Sequence, residues 1–257
     1  MVKIFNIFNI DNNLNIDIND NIACIGYFDG IHLGHKQLIL ATIEEANKLN
    51  LKSTVICFKN DSNTTISGKT NKYILSFEDR INKFKEYGID QVIVIRFNNE
   101  FMKISPKDFI KNYLNKFNSK KLICGFDYSF GYMAKGNCEL LKKEGNFETI
   151  VIEEKKYYGK KISSTRIKDA LNKGNFRLVD KLLGYEYQLV LNVDNCLQNK
   201  NKWLIEASLY DKNCILPKDG KYNSFEINNG KIYIQNTNKI QIGSKFKLGI
   251  NDGRIIL

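Results

Sequence analysis

Between Asn21 and Leu183 short apolar runs alternate with longer amphipathic stretches. Five runs have the make-up of buried strands: IACIGYF (Ile22 to Phe28), TVICF (Thr54 to Phe58), QVIVI (Gln91 to Ile95), KLICG (Lys121 to Gly125) and TIVIE (Thr149 to Glu153). Near-continuous apolar runs separated by helical segments predict a mostly parallel sheet covered by helices. The helices carry their own punctuation. Ser76 can cap a helix through Arg80, Phe84 and Tyr87, with Asp79 at the capping-box position and Gly88 as its stop. Ser105 followed by Pro106 opens another, because proline at the first helical position loses no hydrogen bond. Asn175 to Leu183 reads as a last short helix closed by Gly184. The polar segment from Lys59 to Thr70 reads as a mobile loop.

Beyond Tyr185 the period changes. YQLVLNV, WLIEASLY, KIYIQ and SKFKLGI alternate apolar and polar positions between Asn-, Asp- and Gly-containing turns. That pattern predicts a small antiparallel β domain or partly open barrel. The expected organisation is therefore an α/β Rossmann-like domain over residues 1–184 and a β domain over residues 185–257.

Composition narrows the class. With 43% hydrophobic and 26% charged residues the chain matches ordinary globular proteins, so extensive disorder is not expected. No run approaches the ~20 apolar residues of a membrane span, and MVKIFNIFNIDNN lacks a signal peptide's apolar core and cleavage site; a cytoplasmic protein without a membrane partner is expected. The six cysteines form no C-x-x-C pair and read as small core residues, not as a zinc site. The net charge of +11 comes almost wholly from scattered lysine, which argues against a nucleic-acid partner and gives weight to the few arginines.

The sharpest local feature is GYFDGIHLGH, Gly26 to His35, at the end of the first apolar run and leading into a helix from about Gly34 to Lys48. Glycines let the backbone approach a ligand, and a helix start offers unpaired N–H groups and a positive dipole end. Gly26, Tyr27, Phe28, Asp29, Gly30, His32, Gly34 and His35 are the candidate nucleotide-binding residues of this turn. His32 and His35 are the only histidines in the chain, and residues three apart at a helix start face the same way, so both can donate to one phosphate. Zinc is the weaker reading of two histidines without further ligands, and no metal site is assigned.

A second feature is ISSTRIKDAL, Ile162 to Leu171. Here hydroxyls and a positive charge meet a helix start, either as a simple N-cap with a solvated arginine or as a polyphosphate cradle of Ser163, Ser164, Thr165, Arg166 and Lys168.

Together the two motifs resemble the HxGH nucleotidyltransferase superfamily, and within it the FAD synthetase family, whose members carry GxFDGxHxGH and a downstream ISSTxIR. The first motif is matched fully; in the second, Lys168 stands for the usual arginine, which keeps the charge but loses the bidentate fork. CGFDYSFGYMAKGN, Cys124 to Asn137, is similar to the family's GxDFxFG segment, with Asp127, Phe130, Gly131 and Gly136 matching. The resemblance departs at Phe58 to Asn63, where FKNDSN replaces a Phe-x-Pro-His-Pro run. It implies transfer of AMP from ATP to FMN, with magnesium accompanying ATP. It further implies His32, His35 and Arg166 as catalytic residues and Phe58, Asp127 and Phe130 as flavin-binding residues. Many members continue into a riboflavin kinase domain marked by GxPTAN, a motif absent after Gly184, so kinase activity is not expected. Two alternatives stay open: the same chemistry on another phosphate acceptor, and a non-catalytic flavin- or nucleic-acid-binding module on the same fold. Oligomeric state is not specified by these features.

Overall fold

A computed structural model describes residues 2–7, 18–60, 72–200, 202–222, 225–236, 239–250 and 255–256. Most of the loop expected at Lys59 to Thr70, and Asp61 to Asn63 of the departing FKNDSN run, lie outside these residues. The chain divides into two compact units, residues 1–69 with 77–161, and residues 70–76 with 162–257. The two helices that follow Ile162 thus group with the C-terminal sheet, whereas the composition of the sequence changes only at Gly184.

The first unit is built on a six-stranded sheet of β1 (Lys3–Ile7), β2 (Asn21–Ile25), β3 (Lys52–Asn60), β4 (Gln91–Phe97), β5 (Ser119–Gly125) and β6 (Glu148–Ile152). The order is β1-β4-β3-β2-β5-β6 and every neighbouring pair is parallel. Five of these strands are the five apolar runs. The sixth, β1, was not predicted, because it is an edge strand on which Ile4 is 41% exposed and only Ile7 is buried.

Residues alternate between two cores along each strand, as the pleat requires. On β2, Ala23 and Ile25 join a cluster with Ile56, Phe58, Phe109, Leu122 and Phe130, while Ile22 and Cys24 join Val55, Leu38, Ile39, Phe84 and Val92 on the opposite face. Helices α1 (Leu33–Leu49), α2 (Phe77–Glu86), α3 (Pro106–Asn112) and α4 (Cys138–Glu144) follow β2, β3, β4 and β5. Ser105 caps α3 as expected, accepting from the Asp108 N–H. The cysteines are free thiols, five of them buried, and burial pushes the Cys24 and Cys57 thiols up to about 12.

A hairpin of β7 (Lys156–Tyr157) and β8 (Lys160–Lys161) ends this unit. The second unit opens with α5 (Ser164–Asn172) and α6 (Phe176–Leu183), the latter capped by Asn175 and closed by Gly184 in the left-handed conformation. Its sheet runs β11-β12-β13-β10-β9-β14-β15, all antiparallel, with β9 (Gln188–Asn199), β10 (Lys202–Leu209), β11 (Gly220–Lys221), β12 (Phe225–Asn228), β13 (Lys231–Asn236), β14 (Lys245–Gly249) and β15 (Ile255–Ile256). The four alternating stretches became β9, β10, β13 and β14. Among the described residues no helix is long and apolar enough to cross a membrane.

Candidate active site

From β2 the chain winds one way through β3 and β4, then returns to the other side of β2 to lay down β5 and β6. The reversal falls between β2 and β5, and in such sheets the crevice beyond the strand ends at the reversal is where ligands bind. The Gly26–His35 turn leaves β2 at that place, and Gly125 to Asp127 leave β5. Two of the three sequence motifs are therefore brought together by topology alone.

The turn itself is contorted. Phe28 (φ 53°), Gly30 (φ 79°) and Ile31 (φ 38°) all occupy the left-handed region. Glycine accepts this readily, whereas a β-branched isoleucine there is strained, and such strain persists where the surroundings over-determine it. Phe28, Asp29, Ile31 and His32 are all buried, so the turn is held by its packing. Its product is the start of α1.

His32 takes the N-cap position of α1, where its Nδ1 accepts from the His35 N–H at 3.3 Å. Assigned from that bond, the proton of the neutral imidazole sits on Nε2, which makes Nε2 the ring's donor. A Cβ on Gly34 would lie 3.2 Å from the His32 ring, tighter than ordinary packing, which is a reason for glycine at this position of the motif. The rings of His32 and His35 stack at 3.7 Å with planes 13° apart, and Phe28 tilts against His35 at 5.1 Å. The two histidine rings that the sequence places three residues apart are thus in direct contact.

Burial pushes His32 down to about 4, with the Lys161 ammonium adding in the same direction and the Asp127 carboxylate opposing it. Burial likewise holds His35 well below the usual imidazole range, helped by His32 and by Arg80. Both rings are uncharged at neutral pH. His35 Nδ1 is a buried atom with no hydrogen-bond partner among the described residues. Most buried polar atoms in folded proteins find a partner, so each exception calls for a cause.

The remaining predicted residues divide. Asp127 is exposed and paired with Lys161, whose ammonium also lies 5.0 Å over the Phe126 ring. Phe58 and Phe130, each 7% exposed, belong to one aromatic cluster with Phe109, and Phe130 stacks on Tyr128. Tyr27 stacks on Phe58 at 6.2 Å and its hydroxyl bonds to Asn60. Gly136 is needed beside Phe130, since a Cβ there would fall 2.7 Å from the ring. In the second unit Ser163 is the N-cap of α5, its Oγ accepting from the Arg166 N–H at 3.3 Å; Thr165 is exposed and Ser164, Arg166 and Lys168 are half-buried.

Sequence reasoning missed Lys161 and Arg80. Lys161 stands one residue before the ISSTRIK motif, and nothing in its neighbours marks it. Arg80 had a signal: with Ile81 and Phe84 it falls on the buried side of α2, an unusual place for one of only five arginines.

Residues 15–166 match the profile of a family described as FAD synthetase. Bifunctional riboflavin kinase/FMN adenylyltransferases are similar over the same region, at 34% identity over 175 residues in Listeria monocytogenes, covering 66% of this chain and 55% of that protein. The corresponding protein of Buchnera aphidicola is 36% identical over 180 residues, 67% of this chain and 57% of its own length, and that of Bacillus subtilis 32% over 171 residues, 65% and 54%. The aligned region thus spans little more than half of these relatives. A solved structure described as a macrolide-efflux protein from Streptococcus pneumoniae superposes with a TM-score of 0.83 at 23% identity, covering 100% of this chain and 92% of that one, a likeness of fold alone. The profile match takes in both the histidine turn at the sheet's reversal and the start of α5, and with it the chain belongs to the FAD synthetase family.

Proposed function

We propose that this chain transfers the AMP part of ATP to FMN, forming FAD and pyrophosphate. The observation that carries the reading is the stacked, uncharged histidine pair at the sheet's reversal, within a chain of the FAD synthetase family. The FMN phosphate is already ionised at neutral pH and needs no base to become a nucleophile. One of its oxygens attacks the α-phosphorus of ATP; a new P–O bond forms, the α–β bridging bond breaks, and its electron pair leaves on pyrophosphate. The task left to the protein is positioning and stabilisation of developing charge. His32 Nε2–H donates to the α-phosphate without itself needing to lose a proton, and His35 orders the His32 ring by stacking and by its backbone bond.

In this reading Ser163, Ser164, Thr165 and Arg166, with Lys168, serve the β- and γ-phosphates, and Phe58, Asp127 and Phe130 serve the flavin side. Gly26 to Gly30 and Gly34 let the backbone close on the nucleotide. Magnesium would enter as part of the MgATP substrate and would offset the negative charge of its phosphates. Residues 1–184 form the functional adenylyltransferase segment and residues 185–257 a reduced kinase-like domain without kinase activity, the whole acting in the cytoplasm. Incubation of the purified protein with MgATP and FMN, followed by chromatography of the flavins, tests this: FAD and pyrophosphate are expected in equal amounts, and no FAD from folded protein refutes the assignment.

A further inference from the structure

The ladder between β2 and β3 ends at Ile25 opposite Ile56, with one more bond from the Gly26 N–H to the Ile56 carbonyl at 3.2 Å. Past that point β2 breaks away into the histidine turn while β3 continues to Asn60. A side chain from α2 spans the opening. Arg80, 3% exposed, donates from Nη1 to the Tyr27 carbonyl at 2.8 Å and to the Phe58 carbonyl at 3.4 Å. Its guanidinium carbon lies 5.9 Å from the centre of the Tyr27 ring and 5.2 Å from that of Phe77. The planar cation is thus fixed by two carbonyls and two aromatic faces, an arrangement that suits guanidinium and not ammonium.

We propose that Arg80 is a positioning residue for nucleotidyl transfer, a buried clasp that sets the spacing of Tyr27 and Phe58 and thereby aims the His32–His35 pair. Tyr27 is the residue at which the turn leaves the sheet, so any slack there is carried along the contorted Phe28–Ile31 segment to His32. Displacement of a catalytic group by about 1 Å can cost roughly a hundredfold in rate. The clasp also acts through charge: the Arg80 cation opposes protonation of His35 and so favours the uncharged pair. The other groups bearing on the pair are Lys161 of β8, which acts in the same sense on His32, and Asp127 of the loop after β5, which acts against it. Arg80 touches none of the reacting atoms in this account.

The inference rests on the FAD-forming reading, and one experiment separates their failures. FAD formation is followed from about pH 3.5 to 9, so that the range takes in the depressed histidine titrations, for the unaltered chain, Arg80→Met and Arg80→Lys, with melting curves for each. For Arg80→Met, which fills the same volume without charge, kcat falls by roughly tenfold to a hundredfold, KM for ATP stays within about threefold, and the acid limb of the kcat profile moves to higher pH. For Arg80→Lys, which keeps the charge but loses the planar group set against the Tyr27 and Phe77 rings, kcat falls by about tenfold or more and the acid limb stays in place. A role in stability alone would lower the melting temperature without moving the acid limb. Native kcat and an unshifted limb in folded Arg80→Met overturn the proposal; should that variant not fold, native kcat in Arg80→Lys overturns it. Absence of FAD with the unaltered chain instead refutes the reading of the reaction.

Discussion

His32 binds a proton far less readily in the folded chain than in the unfolded one, its value falling from 6.5 to about 4 through burial and the nearby Lys161 ammonium. The unfolded chain therefore holds the extra proton between those values, and stability from this group is present above pH 6.5 and lost as the pH falls towards 4. At about 1.4 kcal/mol per unit the full effect is about 3 kcal/mol. Glu45 is drawn down to about 2 by Lys121 and Lys48, so the histidine window stands apart from that of this carboxylate. Urea unfolding of His32→Gln at pH 7 and pH 4.5 is expected to show a markedly shallower acid loss than the unaltered chain. The same substitution removes a positioned donor and should lower kcat by roughly 10²–10³; an unchanged pH slope together with near-normal turnover would remove His32 from both roles. This residue was legible in the sequence as half of an H-x-x-H pair, but its tautomer was not, because that follows from the His35 N–H reaching back to Nδ1.

Helix α5 separates two cations that stand close together in the sequence. Arg166 and Lys168 are two residues apart and so project about 200° from one another around the helix axis. Lys168, with Asn172 one turn on, lines a cleft of ≈ 650 Å³ in the second unit together with Lys72, Ser208, Lys212 and Ile215. The Arg166 backbone N–H is engaged by the Ser163 cap. Because a planar fork can grip two phosphate oxygens while an ammonium acts as a point charge, Arg166→Ala is expected to raise KM for ATP, or lower kcat/KM, more than Lys168→Ala does; steady-state kinetics with varied ATP decides, and the reverse order would assign the larger share of the phosphate contact to Lys168. The sequence supplied the helix and its serine cap, since a hydroxyl before a buried Ile167–Ala170–Leu171 stripe is a local signal. Which of two basic residues meets which surroundings is tertiary information, and ISSTRIK carries none of it.

At the scale of the whole chain, β2 to β5 could be recognised because both of their faces are covered, giving apolar runs that need no period to be seen, and β6, a half-buried edge strand, by its short apolar TIVI run. The edge strand β1 escaped because KIFNI is half exposed, and strand order escaped because pairing partners are set by the paths of the intervening helices. The C-terminal sheet was legible as alternation, its register and the Glu206/Ala207 bulge were not. Its chemistry can still be tested. A riboflavin kinase must deprotonate a neutral ribityl hydroxyl, which demands a general base and a phosphate-binding turn. The stretch after Gly184 carries no GxPTAN motif. Riboflavin with MgATP is thus expected to yield no FMN; FMN above the no-enzyme control from host-kinase-free protein would reverse that reading of the second sheet. The sheet's reversal has a consequence in time as well as in space. β2 can pair with β3 as soon as the short α1 crossover is made, but its other neighbour, β5, is synthesised only after β3, α2, β4 and α3, with Ile22 meeting Lys121. Pairings so distant along the chain form late. During synthesis the histidine turn therefore emerges long before β5, and the crevice between them can close only once β5 has been made.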